Sequence, residues 1–153
     1  MPRDRYLEPD WFTRNVFNRI VRGLTRIGIS VVGSRELRVR GRKSGEWRTT
    51  PVNLLTSDGA RYLVAPRGST QWVRNIRVSG GGELRVGRRV EAIRVEELPD
   101  EVKVPILREY LRRWGFELGK FFEGLDKNAT DEQLAGIAAG FPVFRVLDSR
   151  RAR

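Results

Sequence analysis

Apolar positions along the chain change period twice, and the changes divide it into elements. Residues 11–27, WFTRNVFNRIVRGLTRI, follow Asp10, a residue suited to cap a helix. At 100° per residue, Phe12, Val16, Phe17, Ile20, Val21, Leu24 and Ile27 fall on one half of a helical wheel. Arg14, Arg19, Arg22 and Arg26 fall on the other. The spacing predicts an amphipathic helix over 10–28, roughly 25 Å long at the standard rise. Such a helix can lie over the domain core. It can also lie in an anionic membrane interface, with its arginines on lipid phosphates and Trp11 and Phe12 in the acyl boundary.

From residue 31 the period falls to two. ELRVRG (36–41) alternates, then a basic turn intervenes, then RTTPVNLLTSDG (48–59) resumes. Asp58-Gly59 is a hairpin signal, and ARYLVAP (60–66) returns from it. STQWVRNIRVSG (69–80) sets Trp72, Val73 and Ile76 at helical spacing, with Ser69 or Thr70 as cap. GELRVG (82–87) and RRVEAIRVEEL (88–98) form another hairpin across Gly87-Arg88. Beyond Pro99, DEVKVPILREYLRRWGFELGKFF predicts one or two helices interrupted at Pro105 and Gly115. ATDEQLAGIAAG (129–140) predicts a helix capped by Thr130, FPVFRVLD (141–148) a last strand, and residues 148–153 a basic tail. There is no internal repeat and no long linker, so 1–153 reads as one domain. The expected class is α+β: six or so mainly antiparallel strands in a barrel or sheet, with the N-terminal helix and further helices inserted late.

Composition then narrows the chemistry. The chain has no Cys and no His. That excludes Cys and His metal sites, Cys nucleophiles and a Ser-His-Asp triad, and leaves no side chain with an ordinary pKa near 7. No metal site is expected. If the protein is an enzyme, a cofactor carries the chemistry and the chain supplies position and electrostatics. No apolar run is long enough to span a bilayer, and no leader peptide is visible, so a cytoplasmic protein is expected. Thirty cations against nineteen anions give a net charge of +11. Nucleic acid, a membrane surface or a phosphorylated small molecule would each suit that excess.

Two stretches concentrate the candidates. GRKSGEWR (41–48) holds Arg42, Lys43, Ser44 and Arg48 in one turn, where Gly41 and Gly45 allow positive φ and close backbone approach. Turns of this kind can form anion nests, and arginine adds planar contacts to phosphate. The order is not that of a P-loop, since a strand follows instead of a helix. A solvated hairpin tip would have a similar composition. The second stretch, APRGSTQWVRN (65–75), also sits at a strand end, sets Arg67 beside Gly68, and opens a helix whose N-terminus favours an anion.

GRKSGEWRTTPV, YLVAPRGS, WVRNI and LRVGRRVEAIRVEEL together resemble the deazaflavin-dependent nitroreductase family, over about residues 37–98. FPVFRVL is similar to that family's usual last strand. The resemblance implies a split β-barrel that uses coenzyme F-420, a deazaflavin. It implies that Arg42, Lys43, Ser44 and Arg48 bind the coenzyme's phosphate and polyglutamate anions. It implies that Pro66, Arg67, Gly68 and Ser69 line the ring and side chain, that Pro51, Val52 and Asn53 lie along the ring edge, and that Trp72 and Asn75 contribute from the following helix. The family commonly has Ser and Gly where this chain has Pro66 and Ser69. Tyrosines of the later helical part line the substrate pocket in well-known members, and this chain has Tyr110, Trp114, Phe116, Phe121 and Phe122 there. Asn53 and Tyr110 are thus candidates for the substrate side of catalysis.

The implied reaction is hydride transfer from the reduced deazaflavin to a hydrophobic acceptor such as a quinone, with nitroaromatics as incidental substrates. The 11–27 pattern fits family members that sit on membranes. Monomer and homodimer both remain open. A barrel of this type can instead bind flavin mononucleotide (FMN). Two non-catalytic readings compete, a nucleic-acid module and a membrane scaffold. The first lacks interleaved aromatics on a strand and any recognition-helix motif.

Overall fold

A computed structural model describes residues 34–147, less the side chains of 116–120. The expected 10–28 helix and the 148–153 tail lie outside the described residues. Six strands appear: β1 (Ser34–Arg40), β2 (Trp47–Ser57), β3 (Ala60–Val64), β4 (Gly81–Val86), β5 (Arg89–Glu97) and β6 (Val143–Leu147). They close into an antiparallel barrel in the order β1-β2-β3-β6-β5-β4. Helix α1 (Gln71–Ser79) lies between β3 and β4, while α2 (Val104–Leu118) and α3 (Asp131–Ile137) precede β6. Short 3-10 turns at Asp100–Val102, Gly119–Phe122 and Ala138–Gly140 complete the late helical insert.

Turn chemistry fixes the hairpins. Asp58 and Gly59 both take positive φ, 52° and 79°, as a two-residue I′ turn requires. Gly87 takes φ 59° at the first central position of the β4–β5 turn. The glycines after α1 do more than end the helix. A Cβ on Gly81 would lie 2.2 Å from the Ile93 carbonyl oxygen, and one on Gly82 would lie 2.2 Å from that of Arg38. β4 starts against its neighbours' backbones, where no side chain fits.

Alternation along the strands builds two cores, one on each face of the sheet. Leu37, Val39, Val52, Leu63, Leu84, Ile93, Phe144 and Val146 fill the barrel, joined by Val73 and Ile76 from α1. Helix α1 therefore plugs one end of the barrel. Leu55, Val64 and Val143 point the other way, into a second core with α2 and α3. There Tyr110, Trp114, Phe122 and Phe141 form a run of ring contacts, with centroids 4.4–5.8 Å apart.

Helix α2 runs through both positions at which interruption was expected. Pro105 falls in its first turn, where the missing N–H has no intrahelical partner to lose. Gly115 sits within the helix, where an added Cβ would meet Leu111 at ordinary contact distance. Thr130 does cap α3, in a full capping box with Gln133.

β2 changes partner along its length. It pairs β1 from Trp47 to Asn53, but it meets β3 only from Leu54 to Ser57. Between the first half of β2 and the 65–70 loop the barrel wall is open. The candidate site lies along this seam.

Candidate functional site

The basic turn is closed by its own backbone. Gly41 N–H donates to the Glu46 carbonyl (2.7 Å) and Gly45 N–H to the Gly41 carbonyl (2.9 Å). Gly45 takes φ 77°; Gly41 does not take a positive φ. A Cβ at Gly41 would instead lie 3.0 Å from Ser44 Oγ, so its part is close approach.

Neutral acceptors hold the turn's arginines. The Arg40 guanidinium donates to the Gly45 carbonyl at 2.8 Å. Arg42 donates to Asn75 Oδ1 from its backbone N–H (3.0 Å) and from its guanidinium (2.8 Å), and also to Gln71 Oε1 (2.9 Å). Asn75 thereby ties the turn to α1. Carbonyl and amide oxygens satisfy these donors without cancelling their charge. Elsewhere the barrel's arginines meet carboxylates: Arg38 with Glu83, Arg61 with Glu91, Arg77 with Glu97. Among the described residues, the side chains of Lys43 and Arg48 make no hydrogen bond or ion pair. The Arg38 and Arg40 guanidiniums both lie over the Trp47 ring, 4.6 and 4.4 Å from its centroid.

A cavity of about 580 Å³ opens between this turn and α1. Of the residues anticipated from sequence, Arg42, Lys43, Ser44, Arg48, Arg67, Trp72 and Asn75 line it. A small apolar recess adjoins it along the open seam, lined by Pro51, Val52, Ala65, Pro66 and Trp72. Thr50, Arg67, Thr70 and Trp72 border both spaces. Pro51, with no N–H, suits an unpaired strand edge.

Four anticipated residues lie off the lining. Gly68, with φ 86°, shapes the loop, and Thr70 N–H donates to its carbonyl (2.8 Å). Ser69 is turned toward α1, where Arg74 Nε donates to its carbonyl (2.9 Å) and Arg77 reaches its hydroxyl. Asn53 and Tyr110 are brought together, but inside the second core. Asn53 Nδ2 donates to Tyr110 Oη at 2.9 Å, and the two are 1% and 0% exposed. Asn53 thus sits in the second core, away from the recess that Pro51 and Val52 line. Burial holds the Tyr110 phenol well above its ordinary pKa, offset in part by the Asn53 hydrogen bond. Thr49, Thr50 and Gln71 line the cavity and were missed. The two-residue period from Arg48 could have found Thr50, and helical spacing from Asn75 could have found Gln71.

Among the described residues no group of acidic side chains could hold a metal. The donor set suits an elongated anion attached to a flat apolar ring. Lys43, Arg48 and the α1 N-terminus face the polar end, Pro51, Val52 and Trp72 the apolar end. Thr70, which borders both spaces, has its Oγ buried with no hydrogen-bond partner. A ligand with those two ends would lie mainly in the larger cavity with its ring edge against the recess, which holds only about 30 Å³.

A family model described as F420H(2)-dependent quinone reductase matches residues 11–117. No curated protein matches the chain. Among solved structures, an F420-H2 dependent reductase, FDR-A, is similar at 18% identity and a TM-score of 0.53, over 75% of this chain and 94% of that one. A structure described as a domain-swapped dimer is similar at 18% identity and a TM-score of 0.52, over 90% and 98%. A protein of unknown function from Agrobacterium tumefaciens, Atu2129, is similar at 21% identity and a TM-score of 0.52, over 87% and 55%. The structural likenesses show the fold; the family match reaches from the 11–27 stretch to α2.

Proposed function

Because this chain belongs to the F420H(2)-dependent quinone reductase family, and is an oxidoreductase that uses coenzyme F-420, we propose that it reduces a hydrophobic acceptor such as a quinone in the groove between the basic turn and α1. One observation carries the reading: two cations without carboxylate partners stand at one end of a groove whose other end is an apolar recess. Lys43 and Arg48 take the coenzyme's anionic groups, and Ser44 with the turn's backbone adds neutral donors. Trp72, Pro51, Val52 and Pro66 take the ring and keep water from its face. The bound, reduced coenzyme supplies a hydride. The chain aligns ring and acceptor and offers Arg67 and backbone donors to the charge that develops on the acceptor oxygen. A quinone takes up that hydride and one proton and leaves as a hydroquinone. Tyr110 is buried elsewhere, so the proton comes from solvent. Nitroaromatics small enough for the groove are reduced incidentally.

The amphipathic pattern of residues 11–27 supports peripheral contact with an anionic membrane, where apolar quinones are concentrated. Among the described residues no helix is long and apolar enough to cross a membrane. The deciding experiment is a fluorescence titration with the oxidised deazaflavin, with FMN alongside, followed by turnover of the reduced coenzyme with quinones and nitroaromatics. Tight binding of the deazaflavin and oxidation of its reduced form by a quinone are expected. Preference for FMN, or no acceptor activity with quinones, would overturn the proposal.

A further inference from the structure

Thr70 is the N-cap residue of α1, yet its side chain makes no capping hydrogen bond. A threonine there ordinarily accepts from an amide in the first turn of the helix. Here the hydroxyl is turned away, and the residue is 7% exposed. Its oxygen is the one buried side-chain polar atom without a partner among the described residues. The Thr70 backbone is fully used: its N–H donates to Gly68 (2.8 Å) and its carbonyl accepts from Arg74 (3.1 Å). A satisfiable cap has been forgone, at a residue that borders both the basic cavity and the apolar recess.

We infer that Thr70 is a binding residue of this site, its hydroxyl donating to an oxygen acceptor of the bound coenzyme. The inference rests on the proposed coenzyme groove. An unmet buried donor destabilises the coenzyme-free protein, and a ligand that meets it recovers that cost on binding. Arg42, held by Asn75 and Gln71 on the same helix, keeps the basic turn at a fixed distance from this hydroxyl. Thr70 then reads the coenzyme where its anionic and apolar parts join.

Thr70→Val, which keeps the shape and removes the hydroxyl, separates this role from capping. In the coenzyme-free protein the variant is expected to melt at the wild-type temperature or above it. Its affinity for the oxidised deazaflavin, titrated without any electron acceptor, is expected to fall about five- to fifteen-fold, the scale of one hydrogen bond. Thr70→Ser is expected to bind nearly as the wild type does. Wild-type affinity in Thr70→Val would overturn the inference. So would a lowered melting temperature of the coenzyme-free variant that Thr70→Ser restores, since that marks a cap. If the wild type binds no deazaflavin, the coenzyme groove itself is refuted and the inference falls with it.

Discussion

Lys43 and Arg48 differ from their neighbours in what meets their charge. Arg38, Arg61 and Arg77 are neutralised by carboxylates, whereas these two face a cavity without an anion. Replacing either by alanine should weaken deazaflavin binding by about 1.5–3 kcal/mol, the worth of a hydrogen bond to a charged group. The salt dependence of binding should flatten while the melting temperature stays unchanged; titrations at two ionic strengths check both. Tyr110 carries the opposite expectation. Tyr110→Phe removes the buried hydrogen bond that Asn53 Nδ2 donates to the phenol and should cost about 1–3 kcal/mol of stability, with coenzyme affinity intact. Its raised pKa makes a further prediction. The group is neutral in both states below the ordinary phenol value of about 10. Above that value the unfolded chain loses the proton first, so stability falls as pH rises. Urea melts between pH 9 and 11 should show a steeper loss in the wild type than in Tyr110→Phe. The basic turn was legible because its composition is extreme over eight positions. The Asn53–Tyr110 pair was not, since it joins residues 57 apart in sequence through a core that spacing does not show.

At the scale of elements, turn residues and alternation place every strand end to within two residues, and Val64 ends β3 two residues before the expected Pro66. The 65–70 loop then leaves the barrel wall, which opens the seam along β2. No local propensity marks that opening; it arises because α1 must return to plug the barrel. Similarly, an expected break at Pro105 ignored its place in a first turn. Three glycines, 80–82, follow α1, and two of them also allow close contact with neighbouring backbones. Gly82→Ala forces a Cβ into the Arg38 carbonyl and should destabilise the protein by on the order of 3 kcal/mol. Gly80, with open space around it, is more tolerant of a small side chain sterically, though its φ of 77° adds strain. Thermal melts of the two alanine variants, with Gly82→Ala the lower, would check the assignment of close backbone approach.

For the whole molecule, charge and the 11–27 pattern set the remaining test. With a net charge of +11, the protein should bind anionic vesicles electrostatically in any case. The proposed membrane contact predicts more: binding that survives 0.5 M salt because apolar side chains enter the interface. Removing residues 1–28 should abolish the salt-resistant part and leave a domain that still binds deazaflavin. Sedimentation with phosphatidylglycerol vesicles measures the first, and the fluorescence titration the second. A truncated chain that neither folds nor binds coenzyme would place that stretch in the core instead. The barrel class was readable because hairpin signals and period-two runs agree along the chain. Its division into two cores was not, because β2, β3 and β6 each serve both.

That division has a consequence for how the gene can change. β2 presents Val52 to the barrel and Asn53 and Leu55 to the helical core, with Pro51 at the groove. A deletion or insertion of one residue between Arg48 and Asn53 would rotate every later side chain of the strand to the wrong face. It would exchange Val52 and Asn53 between cores and pull the basic turn out of register with α1. Single substitutions across this stretch are each a local loss, whereas a frame-preserving indel there breaks both cores and the groove at once. Length variants among relatives should therefore cluster in the late helical insert or at hairpin tips such as Asp58-Gly59, and spare the first half of β2.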